Sequence, residues 1–428
     1  MIVNLKLSVL TNWICMPISS VDSTLFVFGA ILFIGCLSEI FSRKSKISGA
    51  LLLLAIGFIL RYVEYVDTQD FVNLQGIFGQ LALIVFLFDG GMSLSLETLL
   101  SKGSRAISVA LLITLLSIIV CAAVFHYFFG FDPMIGAIFG AIAGGIGATS
   151  SLAVIKGLSL PKEISSFLTI ESSFTDVPSV VLTLVFAQML VSSYFDASFV
   201  FASLIQNFLV SAVIGVLFGI LFLFISPSFS DKKEYLSFFA ILLLLYSFSE
   251  VLGSSGAISV LTFAVILTNQ TLFMKYFKLR KKLETSFLMS MHNELSFFIR
   301  TFFFVFLGII VVIGDMTNLV IALVLLLTLY LIRWASLSVF ISKSKLSRYL
   351  LLLSSINPRG LSTAALSTIV VATVQVAYSV EPTTRLESIL LQVNQLPQIA
   401  FYLILLSLIS TSFLVPLAYK LIKKDKKI

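Results

Sequence analysis

Five ionisable residues stand where the surrounding sequence is almost wholly apolar: Asp89, Glu171, Asp176, Arg300 and Arg359. A charged side chain at the centre of a hydrocarbon layer costs about 2.5–3.5 kcal/mol even on a forgiving scale, so each needs a partner or a ligand. One such residue is explained by a structural pairing. Five in one chain point to a polar pathway, with at least one group that binds something. The segment SSFLTIESSFTDVPSVVLTLVF carries two of them. On a helix, Ser172 and Asp176 are four apart and share a face, and Glu171 with Thr175 forms a second such pair about 100° away. Pro178 removes a backbone donor and frees the carbonyl of Phe174, which either serves a cation or accepts from a serine.

Depth along the spans relates these charges. Glu171 lies nine residues past Lys162, and Arg359 lies eleven past Arg348. The matching depths predict a Glu171–Arg359 ion pair that leaves Asp176 as the acid able to load and unload; the alternative is Arg359 facing Asp176 directly. Two interruptions flank these groups. GAIFGAIAGGIGATSS places Gly136, Gly140, Gly144, Gly145 and Gly147 before Thr149, Ser150 and Ser151, and SSINPRGLSTAA breaks a second apolar run around Arg359. Gly clusters and Pro with Gly weaken a helix, although Gly136 and Gly140 read better as a face for close helix approach. An interruption in one early and one late span, each beside a charge at mid-depth, is the sequence mark of a transporter site on inverted repeats. The half-helix ends would supply dipoles and free carbonyls to a small ion.

The elements that must position these residues are membrane spans. Of 428 residues, 59% are hydrophobic and 11% charged, against roughly a quarter charged in a soluble domain. Apolar runs of about 20 residues, enough to cross roughly 30 Å of hydrocarbon, recur from Leu25 to Leu421. They predict an all-α membrane protein of about 13 transmembrane helices near 24–42, 46–62, 74–95, 104–128, 134–156, 163–191, 197–227, 234–251, 254–271, 287–314, 317–341, 347–378 and 396–421. Residues 1–20 lack an unbroken apolar stretch and read as a short tail rather than a signal peptide. The longest loop expected is 375–398, and 274–291 reads as a basic helix along the membrane face.

Basic residues cluster in alternate connections: Arg43, Lys44 and Lys46; Lys102 and Arg105; Lys156 and Lys162; Lys232 and Lys233; Lys275 to Lys282; Lys343 to Arg348; and Lys420 to Lys427. The other connections carry Glu64, Asp67, Asp70, Asp132, Asp196, Asp315 and Glu381 instead. Basic loops mark the cytoplasmic side, which places the N-terminus outside and the C-terminus in the cytoplasm of a multi-pass cell (plasma) membrane protein. The formal net charge of +7 is thereby a topology signal in contact with lipid, and no nucleic-acid partner is expected. The odd set Cys15, Cys36 and Cys121 lacks metal spacing and reads as small core residues.

The blocks LFDGGMSL at 87–94, GATSSLAVIKGLSLPKEISSFLTIESSFTDVPSVV at 147–181, RTFFFVFLG at 300–308 and NPRGLSTAAL at 357–366 resemble the monovalent cation:proton antiporter superfamily, in particular its NhaP-like and NHE-like sodium/proton exchangers. The resemblance implies an NhaA-type fold with inverted repeats and broken crossing helices. It further implies a homodimer whose core, about 104–191 and 317–421, moves like an elevator against a dimerisation scaffold, about 24–95 and 197–314. The family's Glu-Ser-x-x-Asn-Asp falls on Glu171, Ser172, Thr175 and Asp176, its Thr-Asp-Pro on Thr149, Ser150 and Ser151, and its Pro-Arg-Gly on Pro358, Arg359 and Gly360. Thr175 replaces the usual Asn, and Ser150 replaces an Asp that helps hold the cation, which leaves sodium against potassium open. Arg300 stands where relatives often hold a basic residue.

The expected chemistry is exchange without a cofactor. Asp176 carries either a proton or a dehydrated monovalent cation, held with oxygens from Thr149, Ser150, Ser172 and Thr175. Burial favours the protonated acid and a bound cation the carboxylate, so the two compete. One exchanging carboxyl implies one Na+, or Li+, per proton and electroneutral transport, with a K+/H+ antiporter or K+ efflux transporter as the alternative. An intramembrane enzyme would need a nucleophile with its base or a metal site. Of the two histidines, His126 and His292 both lie near predicted span ends, and no GxSxG, HExxH or phosphate-binding loop occurs. A pore would instead need rings of acids.

Overall fold

The computed structural model describes residues 21–45, 49–61, 68–95, 104–147, 151, 160–192, 197–225, 234–277, 285–310, 316–342, 344 and 346–424. Among them the chain is helical, with no strand. In order, the helices are α1 (Val21–Ser45), α2 (Gly49–Arg61), α3 (Thr68–Met92), α4 (Ser104–Phe129), α5 (Pro133–Gly144), α6 (Lys162–Val191), α7 (Ala197–Ile225) and α8 (Glu234–Val251). There follow α9 (Gly256–Thr268), α10 (Gln270–Phe277), α11 (Thr285–Ile310), α12 (Met316–Ile341), α13 (Leu350–Ser355), α14 (Leu361–Val380), α15 (Thr384–Val393) and α16 (Leu396–Lys424).

Helices are what such sequences form, because hydrocarbon offers no partner to a free N–H or C=O and each segment must satisfy its own backbone. Among the described residues, six helical segments are long and apolar enough to cross a membrane: 104–129, 162–191, 205–225, 316–341, 361–380 and 384–422. Their outward faces carry exposed Leu115, Ile119, Leu217, Leu331 and Leu417, a surface suited to lipid tails. Both interruptions read from the sequence are present. Helix α5 stops at Gly144, and its C-cap Gly145 turns to φ −74°, ψ 145°. The second run divides into α13 and α14, separated by the extended stretch 356–360.

Two expectations are corrected. The 375–398 region is not a loop, because α14 runs on to Val380 and α15 occupies Thr384–Val393. Thr383 caps α15 by accepting from the Leu386 N–H at 3.2 Å, and Leu386, Ile389 and Val393 bury one stripe of it. The basic segment 274–291 is not one helix either: α10 ends at Phe277 and α11 begins at Thr285, while 278–284 lie outside the described residues.

The helices pack in two sets. Helices α4, α5, α6, α12, α13, α14 and α16 surround one another, as do α1, α2, α3, α7, α8, α9 and α11; α3 joins the sets by lying against α6 and α14. Helix α5 packs closely on α4. A Cβ at Gly136 would come within 2.8 Å of the Cys121 carbonyl oxygen, and one at Gly140 would strike the Ser117 carbonyl. These glycines let the half-helix α5 lie almost backbone to backbone on α4.

Overpacking a close contact costs typically about 1–3 kcal/mol. Gly140→Ala is therefore expected to lower the thermal midpoint of the detergent-purified protein, whereas Gly29→Ala, where an added Cβ meets nothing within 4 Å, should leave it unchanged. Equal midpoints for the two variants would contradict the close α4–α5 approach.

Candidate functional site

The site is built where the two interruptions meet. The N–H of Gly147, just past α5, donates to the carbonyl of Pro358 at 2.9 Å, so the two broken stretches are tied backbone to backbone. A Cβ on Gly147 would lie 3.2 Å from the Gly360 nitrogen. Ile146 donates its N–H to Thr175 Oγ1 at 3.3 Å, which fastens the first break to α6. Arg359 crosses the junction: Nη1 donates to the Gly145 carbonyl, Nη2 to Asn357 Oδ1 at 3.0 Å, and its backbone N–H to Ser407 Oγ of α16 at 2.9 Å. A guanidinium thus sits on the carbonyl end of α5, where the backbone lacks intrahelical donors and the helix dipole is negative.

Asp176 lies against this junction. It is 3% exposed, and a Cβ built on Gly145 would be 3.5 Å from its Oδ1. Among the described residues Asp176 forms no ion pair, and Oδ1 has no hydrogen-bond partner. It is buried away from lipid, and neither Arg359 nor Arg333 pairs with it among the described residues.

The predicted ion pair has a different base. Glu171 pairs with Arg333 of α12, with Nη1–Oε1 at 2.6 Å and Nη2–Oε2 at 3.2 Å, both side chains being fully buried. Arg333 Nε also donates to the Leu353 carbonyl near the end of α13, at 2.9 Å. The Glu171–Arg359 pairing is therefore not formed, and Arg359 turns both Nη1 and Nη2 to the junction, while its Nε has no partner among the described residues. Arg333 was missed by the sequence reading, although it lies ten residues before Lys343 and so fits the same depth. Rotation about α12, which depth along a span does not encode, makes the choice.

The remaining predicted residues are placed as follows. Ser172 is buried and donates to the Thr169 carbonyl at 3.2 Å. Thr175 donates to the Ser172 carbonyl at 3.0 Å while accepting from Ile146. Thr149 and Ser150 lie outside the described residues, and neighbouring Ser151 is buried with its Oγ unpartnered among the described residues. Arg300 does not join the site; its Nε bonds the Ser296 carbonyl on its own helix at 3.1 Å. Asp89 is engaged by α11, its Oδ1 2.9 Å from His292 Nε2 and its Oδ2 accepting from Ser296 at 3.3 Å. His292 does lie near the start of α11, but it is fully buried, edge-on to Phe88 with ring centroids 4.6 Å apart. His126 does lie exposed at the end of α4.

A cavity of about 740 Å³ opens between the two helix sets at the end of the bundle where α6 and α8 finish and α9 and α16 begin. Leu184 and Gln188 of α6, Glu250 of α8, Thr368 and Thr373 of α14 and Gln398 of α16 are among its walls. Asp176 is about two helical turns from Leu184 along α6.

A helical bundle made for a hydrocarbon solvent, with an unmatched acid at the crossing of two broken helices, is a multi-pass membrane transporter. The family described as sodium/hydrogen exchanger, transmembrane, matches residues 29–420, and the chain belongs to it. The K(+)/H(+) antiporter NhaP2 of Shewanella sp. strain MR-4 is 29% identical over 195 residues, 44% of this chain and 34% of that protein. Its counterpart in Shewanella baltica strain OS223 is 27% identical over 269 residues, 60% and 45% respectively. The chain thus spans less than half the length of these curated relatives. The sodium proton antiporter MjNhaP1 of Methanocaldococcus jannaschii at pH 8 superposes with a TM-score of 0.76 at 22% identity, over 93% of this chain and 98% of that one. A three-dimensional EM map of the same antiporter gives a TM-score of 0.73 at 21% identity, over 94% and 98%. At such identity the likeness carries the fold.

Breaking a buried ion pair by removing one partner costs about 3–5 kcal/mol, whereas replacing both with apolar groups is close to neutral. Glu171→Gln and Arg333→Met should each sharply lower the thermal midpoint in detergent, and the double variant Glu171→Leu with Arg333→Met should recover most of the loss. Additive losses in the double variant would contradict the pairing.

Proposed function

We propose that the protein is a secondary antiporter that exchanges a monovalent cation, sodium or lithium, for a proton at Asp176. The observation that carries this reading is the buried carboxyl at the helix crossing, with Oδ1 unpartnered among the described residues. An acid already neutralised by an arginine could not exchange ligands. Here the nearby Arg359 is held by backbone and amide oxygens, and Arg333 neutralises Glu171 instead.

In the first half-cycle Asp176 releases its proton to one face and a partly dehydrated cation takes its place. The ion is held by the carboxylate with oxygens of Thr149, Ser150 and Ser172, with Thr175 holding the loop of the first break against α6. In the second half-cycle the loaded site moves to the other face, and the cation leaves as a proton arrives. Exchange is obligatory because an empty charged carboxylate in low dielectric crosses at high cost. One carboxyl per cycle gives one cation per proton and no net charge movement. The two sets of packed helices support an elevator in which α4–α6 and α12–α16 carry the site past a scaffold of α1–α3 and α7–α11, in a homodimer embedded in the plasma membrane with its C-terminus cytoplasmic. A second reading, potassium/proton exchange, is favoured by Ser150 in place of the family's acid and by the NhaP2 relatives, which are K(+)/H(+) antiporters.

In everted vesicles, Asp176→Asn should abolish cation-driven dequenching of a pH-sensitive dye while the protein remains in the membrane; retained exchange would overturn the site. Competition fixes the sign of the pH effect. Protons occupy the site at low pH, so the half-saturating cation concentration should rise by up to about tenfold per unit as pH falls, and level off at high pH. A half-saturating concentration independent of pH would count against a shared carboxyl. Reconstituted protein compared in sodium, lithium and potassium separates the two readings, and full-size currents on solid-supported membranes at symmetric pH would contradict electroneutrality.

A further inference from the structure

We propose that Ser179 is a direct ligand of the transported monovalent cation, supplying a hydroxyl oxygen on the cavity side of Asp176; this rests on Asp176 being the exchanging acid. Ser179 follows Asp176 by three residues on α6 and shares its face. A Cβ built on Gly145 would lie 2.9 Å from Ser179 Oγ and 3.5 Å from Asp176 Oδ1, so the two oxygens converge on one point beside the first break. Both side chains are buried, at 1% and 3% exposure, and neither oxygen has a hydrogen-bond partner among the described residues.

The missing partner is what separates Ser179 from its neighbours. A serine or threonine inside a helix ordinarily donates back to a carbonyl three or four residues earlier. Thr169, Ser172 and Thr175 of the same helix all do so, at 2.9, 3.2 and 3.0 Å. Ser179 does not, although it is as buried as Ser172 and Thr175, and a desolvated hydroxyl left unsatisfied is unfavourable until something binds it. Thr183, one turn further, is likewise buried and unpartnered among the described residues, and the next residue, Leu184, lines the 740 Å³ cavity. Asp176, Ser179 and Thr183 therefore form an oxygen stripe from the acid towards the cavity. Its chemistry suits a hard alkali cation that exchanges water oxygens for protein oxygens one at a time.

The test is transport in proteoliposomes by Ser179→Ala and by Ser179→Cys, which keeps the size but replaces a hard oxygen with a soft sulfur. In both, the half-saturating concentration for sodium, lithium and potassium should rise about fivefold or more, with a smaller effect on maximal rate, and the order of preference among the three ions should change. Unchanged half-saturation and preference would overturn the proposal, as would a fall in maximal rate alone. Loss of both variants from the membrane would assign Ser179 to packing and overturn it too. Asp176→Asn measured alongside separates the layers: if it still exchanges, the reading of the site falls; if it is inactive while the Ser179 variants keep wild-type half-saturation, only the ligand assignment falls.

Discussion

A carboxyl group held away from water has three stable arrangements: it keeps a proton, it faces a fixed positive charge, or it coordinates a mobile one. Glu171 takes the second through a bidentate contact with Arg333. Asp176, about a turn and a half further along the same helix, has no such contact among the described residues. The difference between these acids organises the core. One is neutralised and ties α6 to α12 and α13; the other is buried with Oδ1 unpartnered among the described residues, and on the proposed function it is the acid whose ligands come and go.

Keeping an acid available requires every permanent cation near it to be engaged elsewhere. Arg359 is restrained by the Gly145 carbonyl, the Asn357 amide oxygen and, through its backbone, Ser407. The breaks in α5 and between α13 and α14 expose the backbone groups that make this restraint possible, and Gly147 with Pro358 closes the crossing. Helix interruption and arginine placement are thus one device. The broken helices provide carbonyls that hold a guanidinium, and the guanidinium offsets the carbonyl ends that the breaks leave bare. The close approach of α5 to α4 at Gly136 and Gly140 fixes where that crossing stands.

Much of this was legible in the residues, for definite reasons. A lone charge in an apolar run is conspicuous, so Asp176, Glu171 and Arg359 could be found, and Gly or Pro clusters at mid-span marked both breaks. Depth along a span could also be counted, but it is a single coordinate. Arg333 and Arg359 satisfy the depth of Glu171 about equally, and only the packing of α12 on α4 and α16 decides which of the two buried guanidinium groups meets that acid. The burial of His292 was invisible for a related reason: near the start of α11, it is covered by Phe88 of α3 and Phe238 of α8, neither local in sequence. The unused hydroxyl of Ser179 is a matter of rotamer and neighbour, to which spacing is blind.

The central claim is that proton and cation displace each other from the Asp176 carboxyl. The most direct measurement is proton release from purified, weakly buffered protein on addition of sodium or potassium at constant ionic strength, followed with a pH electrode and compared with an Asp176→Asn variant. The account predicts about one proton released per cation bound, saturating with binding and absent from the variant. Cation binding without release, or equal release from the variant, would contradict it.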